Sequence, residues 1–355
     1  MILVLGATLV LAALAAAAGW VSPAFLHAWL LAWLMWLGVA LGAFVFLCLR
    51  HLMRSRWGVV VYPLLSAMTR TIPLLALLFL PIALDLDVLY PWTDRAWLYA
   101  APLRAAKAAY LDTGFFLARA IVILVAWSLL AVRLARPGRR PGLAALALVV
   151  FSITVTVAAV DWVLSLDPDM STSAFGLAVA TGDAVAGWSA VILAAALVQG
   201  RSARAPLIAR ERVQQLGTLL FAALMLWGYI AFTQYLLVWG ADLPREVGWF
   251  LPRLRGEWGM VAWSLVGLHF AVPFLLLLQR PIKRDLARLA AVAALLLVMH
   301  YVELVWLVVP SRAAPLGWLD LAVPLGLGAL WGLACVRLLG RGPLLAVPEE
   351  DIDHV

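Results

Sequence analysis

Residues 144–198 read AALALVVFSITVTVAAVDWVLSLDPDMSTSAFGLAVATGDAVAGWSAVILAAALV. Two apolar runs flank DWVLSLDPDMSTSAFG (Asp161–Gly176), where three carboxylates, Asp161, Asp167 and Asp169, crowd around one proline. Each run approaches the ~20 residues that carry a helix across a hydrocarbon core. Each is apolar on every face, whereas a helix of a soluble core needs only one apolar stripe. The segment reads as helix, acidic turn, helix. Asp161 ends the first helix, Pro168 breaks continuity, and Asp169, Ser171 or Thr172 is placed to cap the second.

The same texture extends over the whole chain. Of 355 residues 66% are hydrophobic and 13% charged, with a mean hydropathy of +1.02. These values exclude a soluble globular domain and point to an all-α polytopic membrane protein. A transmembrane barrel would show short alternating segments, which are not seen. About ten spans are expected, at 2–19, 25–49, 63–84, 115–135, 142–164, 173–199, 213–239, 258–279, 287–309 and 318–339. The start, MILVLGATLVLAALAAAAGW, lacks the positive n-region of a signal peptide and is read as a retained first helix. The first and last spans have no ionisable residue over 2–19 and 321–335, so they are expected at the periphery. The middle eight divide into a four-helix bundle over 25–164 and a second over 173–309. Gly38 and Gly42 have GxxxG spacing, which favours close helix packing.

Basic residues fall in alternate loops, around Arg50–Arg56, Arg133–Arg140, Arg201–Arg212 and Arg280–Arg288. The other loops hold most of the acids. The positive-inside rule then puts both termini in the cytoplasm, in agreement with an even helix count. The net charge of +7 is explained by these loops, so no nucleic acid partner is expected; membrane lipid is. Trp92, Trp97, Trp162, Trp239, Trp249, Trp258 and Trp318 are read as an interfacial aromatic belt on the acidic side. Cys48 and Cys335 form neither a CxxC nor a metal spacing, so no iron–sulfur cluster or structural zinc site is encoded.

Ionisable residues inside apolar spans are functional candidates by default. Asp183 lies ~15 Å along its helix, close to the bilayer midplane. His269 is at similar depth, and His300 and Glu303 share a helix face three residues apart. Gln234 and Tyr235 lie in the half of their helix nearer the acidic side. These six residues are the candidates for a proton path, either a relay or static pairs that lock the bundle. His269 and His300 also match the depth requirement for two haem ligands. In the first bundle, His27 and Asp161 are candidates for holding a quinone head, against interfacial snorkelling and surface pairing. Asp167 and Asp169 are candidates for a proton exit or a docking surface. No catalytic residue is assigned.

Several stretches occur in order: RWG (Arg56–Gly58), LYPW (Leu89–Trp92), DWVLSLDPDMSTSAFG, LPREVGWFLPRLRGEWG (Leu243–Gly259), HFAVPFLLL (His269–Leu277) and VELVWLVVP (Val302–Pro310). Together they resemble the polysulfide-reductase-type (NrfD-like) membrane subunits of bacterial alternative complex III, the quinol:cytochrome c oxidoreductase. The second of its two such subunits is the more similar. The resemblance implies a ten-helix protein of the cytoplasmic membrane, without a cofactor of its own, that supports quinol-linked proton translocation. It implies a sister NrfD-like subunit, an iron–sulfur subunit and c-type cytochrome subunits as partners, which carry the iron–sulfur clusters and c-type haems. The family more often has an arginine at the position of His300 and an aspartate at that of Glu303. A proton-coupled secondary transporter and a passive anchor are the competing classes.

Overall fold

A computed structural model describes residues 22–53, 56–170, 172, 174–200, 208–312 and 315–340. Among these, nine helices are long and apolar enough to cross a membrane. In chain order they are α1 (Pro23–Leu52), α2 (Trp57–Leu84), α3 (Thr113–Leu134), α4 (Pro141–Leu166), α5 (Phe175–Gly200) and α6 (Arg210–Ala241). After a short amphipathic helix, α7 (Pro244–Leu254), follow α8 (Gly256–Leu278), α9 (Leu286–Ser311) and α10 (Leu319–Leu339). The described residues contain no strand. The chain is an all-α polytopic membrane protein. The expected span at 2–19 and both termini lie outside the described residues.

Boundaries agree with the hydropathy reading to a few residues, except for α2. It begins at Trp57 rather than residue 63, because Pro63 sits inside the helix and not at its start. The helix turns again at Arg70–Thr71 and Leu78–Phe79. Pro73 and Pro81 lack the amide hydrogens that would reach back to Thr69 and Leu77, so the ladder is interrupted at both places.

Helix α1 is the axis of the molecule, with 89% of its most apolar window buried. Helices α1–α4 pack around one another, as do α5, α6, α8 and α9, and α1 against α5 is the seam between them. Small residues make that seam. A Cβ on Gly42 would run into the backbone of Asp183, and one on Gly187 into Gly42 and Ala43. The GxxxG pattern therefore serves packing within the chain. Helix α10 covers the other side of α1 and touches α2. Trp36 Nε1 donates to Pro324 O at 2.8 Å, and Trp331 Nε1 to Thr71 Oγ1 at 2.9 Å.

The acidic end is a folded cap. Between α2 and α3 the chain forms short helices at Leu86–Leu89, Arg95–Tyr99 and Pro102–Ala105. Tyr90 Oη donates to Trp162 O, and Trp92 Nε1 to Ser165 Oγ. This corrects the aromatic belt. Trp239 and Trp318 are well exposed, but Trp92, Trp162 and Trp249 are buried. They are core residues of the cap: Trp162 packs edge-on against Trp33 and Trp127, and Trp249 against Phe175, Phe250 and Trp306.

Candidate functional site: a buried carboxylate–imidazole cluster

Four helices bring the intramembrane ionisable groups together. Helix α9 presents His300 and Glu303 on one face, as i,i+3 spacing requires. Helix α5 supplies Asp183, beside the seam with α1. His269 comes from α8, where residues Leu265–Ala271 widen into a π-helix. Pro273 gives the cause: it has no amide hydrogen to return to the His269 carbonyl, and the amide of Val272 reaches Gly267 instead. Such π segments recur at functional sites. Helix α6 adds Trp227, whose Nε1 donates to Glu303 Oε1 at 2.8 Å. Its indole also faces the His269 ring, with centroids 4.0 Å apart and planes 31° apart.

The geometry is a chain. Asp183 Oδ1 lies 3.7 Å from His300 Nε2. His300 Nδ1 lies 3.4 Å from Glu303 Oε2. The same oxygen lies 3.9 Å from His269 Nδ1. Asp183, His269 and His300 are buried, and the Glu303 side chain is 13% exposed. Both nitrogens of each imidazole, and Glu303 Oε2, are buried without a direct hydrogen bond. The separations exceed the usual 2.7–3.2 Å of an N–H···O bond and suit a bridging water or a small side-chain shift. Two glycines make room. A Cβ on Gly182 would lie 3.1 Å from Glu303 Oε2, and one on Gly38 would strike the Asp183 carboxylate.

His300 stands between two carboxylates, one at each ring nitrogen. A neutral imidazole carries one N–H and one acceptor nitrogen. It can therefore take a proton at Nδ1 from the Glu303 side and release the other at Nε2 toward Asp183, without turning over. Glu303 in turn connects His300 with His269. Because Glu303 occupies the space shared by the two imidazoles, His269 and His300 do not fit as opposed haem ligands.

The remaining candidates lie elsewhere. Gln234 is buried, but its Nε2 donates to Thr172 Oγ1 at 2.8 Å and ties α6 to the acidic turn. Tyr235 is 44% exposed, on the lipid-facing side of α6. His27 Nδ1 lies 2.7 Å from Pro23 O in its own helix. Asp161 is held by Arg119, through Nε to Oδ2 at 2.7 Å and Nη2 to Oδ1 at 3.0 Å. Both Asp161 oxygens are thus occupied and His27 keeps other neighbours, so the pair does not fit a quinone head.

The acids of the opening stretch are matched by cations that the sequence did not single out. Arg104 grips Asp169 in a fork, with bonds of 2.9 and 2.7 Å. That fork holds the Asp169 carboxyl below the usual carboxylate range. Helix α5 begins at Phe175, too far along for Asp169 to cap it, Thr172 is engaged by Gln234, and Ser171 lies outside the described residues. Lys107 Nζ bonds the carbonyls of Pro168 and Met170 at 2.5 and 3.1 Å. Asp167 faces Arg253, yet burial wins and pushes its carboxyl up. Arg253 is itself buried, with its guanidinium on the Trp249 ring and bonded to the carbonyls of Trp249 and Leu307. Burial pulls it down to about 10. The signal for Arg253 was legible, since an arginine four residues after a tryptophan on an amphipathic helix can fold back over the ring. The chain matches no protein-family model and no curated protein.

Proposed function

We propose that this chain is a membrane subunit of a respiratory quinol:electron-acceptor oxidoreductase of the alternative complex III type. Its α5–α9 half passes protons, while partner subunits carry the redox centres. The observation that carries the proton role is the unbroken sequence Asp183, His300, Glu303, His269 inside an apolar bundle. Ionisable groups there are costly and are retained for charge movement or ion paths. A passive anchor would hold them as directly hydrogen-bonded pairs, because an unpaired buried polar atom costs about 1–3 kcal/mol. Here the imidazole nitrogens have no such bonds. The respiratory assignment rests on the ordered motifs, and the cytoplasmic placement of the termini on the loop charges. Quinol oxidation is assigned to a partner, in keeping with the occupied Asp161 and the separate His27.

The test is isolation of the tagged chain with its native partners in mild detergent, followed by an optical redox spectrum. A c-type haem band with iron–sulfur and cytochrome subunits supports the reading. Isolation of a colourless chain alone, from membranes where it is well expressed and the complex is stable, overturns it. Glu303→Gln in the intact complex is expected to keep assembly and electron transfer to acceptor but lose proton translocation. The widened helix at His269 favours a second reading, a proton-coupled transporter, since transporters place irregular backbone at midplane sites. Solute-driven proton uptake by the chain alone would support it.

A further inference from the structure

A small cavity opens on Asp183 beside the α1–α5 seam. It is walled by α1, α3, α4 and α5, with Leu304 of α9 at one edge and Gly38, Trp127, Val155, Ala158 and Trp162 among its lining, and holds about 30 Å³. A water needs roughly 10–15 Å³ on this measure, so the space suits about two. Its walls are mostly apolar, but it has polar groups at two places. One is the Asp183 carboxylate, which Gly38 admits by having no side chain in its way. The other is Trp162, whose buried indole N–H has no hydrogen-bond partner. Leaving such a donor unsatisfied is costly, and a water removes that cost.

We infer that Asp183 is a junction: it passes protons out of the α5–α9 bundle into water held in this cavity, so the path crosses the α1–α5 seam into the first bundle. This rests on the relay reading above. The cavity water accepts the Asp183 proton on a lone pair and releases one of its own to the next water. No other bond changes. Trp162 orients the far water by donating its N–H, and is a positioning residue. Beyond it the next residue, Asp161, is locked to Arg119, whose Nη1 is also buried and unpartnered.

Two measurements test this on the full chain with its native partners in lipid. In X-ray hydroxyl-radical footprinting, water in the cavity should oxidise Trp162 and Trp127 well above Trp188, which is fully buried and bonded to Leu216 O. Equal labelling of Trp162 and Trp188 means a dry cavity and overturns the inference. In proton flux, Ala158→Val, which fills the cavity, is expected to slow transfer by ~10²-fold. Trp162→Phe, which keeps the bulk and removes the N–H, is expected to slow it less. Flux retained in both variants but lost in Glu303→Gln overturns the crossing and leaves the relay standing. Flux retained in Glu303→Gln overturns the relay reading and the junction with it. Melting temperatures of the two cavity variants separate a plugged path from a failed fold: slowed flux in a variant that melts with wild type supports the junction. If Ala158→Val fails to fold, Trp162→Phe and the labelling contrast decide.

Discussion

His300 has a carboxylate near each ring nitrogen, and the two neighbours are not equivalent. Asp183 is reached from another helix at 3.7 Å, Glu303 from the same face of α9 at 3.4 Å. Only Glu303 has a fixed donor, Trp227, on its second oxygen. That bond stabilises the ionised carboxylate, and bonds to charged groups contribute about 1.5–3 kcal/mol. Trp227→Phe should therefore lower the melting temperature in detergent and also slow proton transfer, because it frees Glu303 from its position. Glu303→Gln separates the two effects. Its amide oxygen still accepts from Trp227, so the fold should melt near the wild-type temperature, while proton transfer falls by ~10²-fold or more for want of an acid–base group. Unchanged flux in Glu303→Gln, measured in reconstituted complex, would return the cluster to a purely structural role.

At the scale of elements, the seam between α1 and α5 decides how the cluster is held. Glycine is needed at residue 42 because the α5 backbone occupies the place of its Cβ. Gly42→Ala should cost about 1–3 kcal/mol, the usual range for overpacking. Gly142→Ala, at the first turn of α4, meets nothing within 4 Å and should be close to neutral by the same thermal assay. The acidic cap offers a pH-dependent counterpart. Arg104 depresses the Asp169 carboxyl, so its contribution to stability is fully present above the ordinary aspartate value. It is lost as pH falls through the lower folded value. Arg104→Ala should melt lower than wild type at neutral pH, with the two curves converging in acid. Asp167, raised by burial, works in the opposite direction. Most elements of this scaffold were legible in the sequence, because span length and apolar texture report the bilayer directly. So were Asp183, His269, His300 and Glu303, since a charge in such a run has few reasons to be there. Trp227 was not legible: one of eighteen tryptophans in an apolar chain gives no sign that its N–H meets a carboxylate. The belt tryptophans misled for a related reason. Sequence depth alone cannot tell a ring that faces lipid from one folded under a cap.

Across the whole molecule, loop charge and the buried cluster make one joint statement about direction. The Arg-rich loops lie at one end, the Asp- and Glu-rich cap at the other, and the cluster is between them. If basic loops face the cytoplasm, a proton leaving by way of Asp183 and the first bundle emerges under the acidic cap, away from the cytoplasm. Cysteine labelling tests the sign. The native Cys48 and Cys335 are buried and should not react with a charged, membrane-impermeant maleimide. Pro137→Cys, exposed between α3 and α4, and Ala241→Cys, exposed at the end of α6, place one thiol at each end. In intact cells the Ala241 variant should be labelled and the Pro137 variant protected until the membrane is permeabilised. The reverse pattern would turn the molecule over, and a proton emerging under the acidic cap would then enter the cytoplasm, which is uptake and not release. Labelling of both thiols in intact cells, with a cytoplasmic control protein protected, would show that the two ends are not separated by the membrane and would remove the basis for any vectorial role.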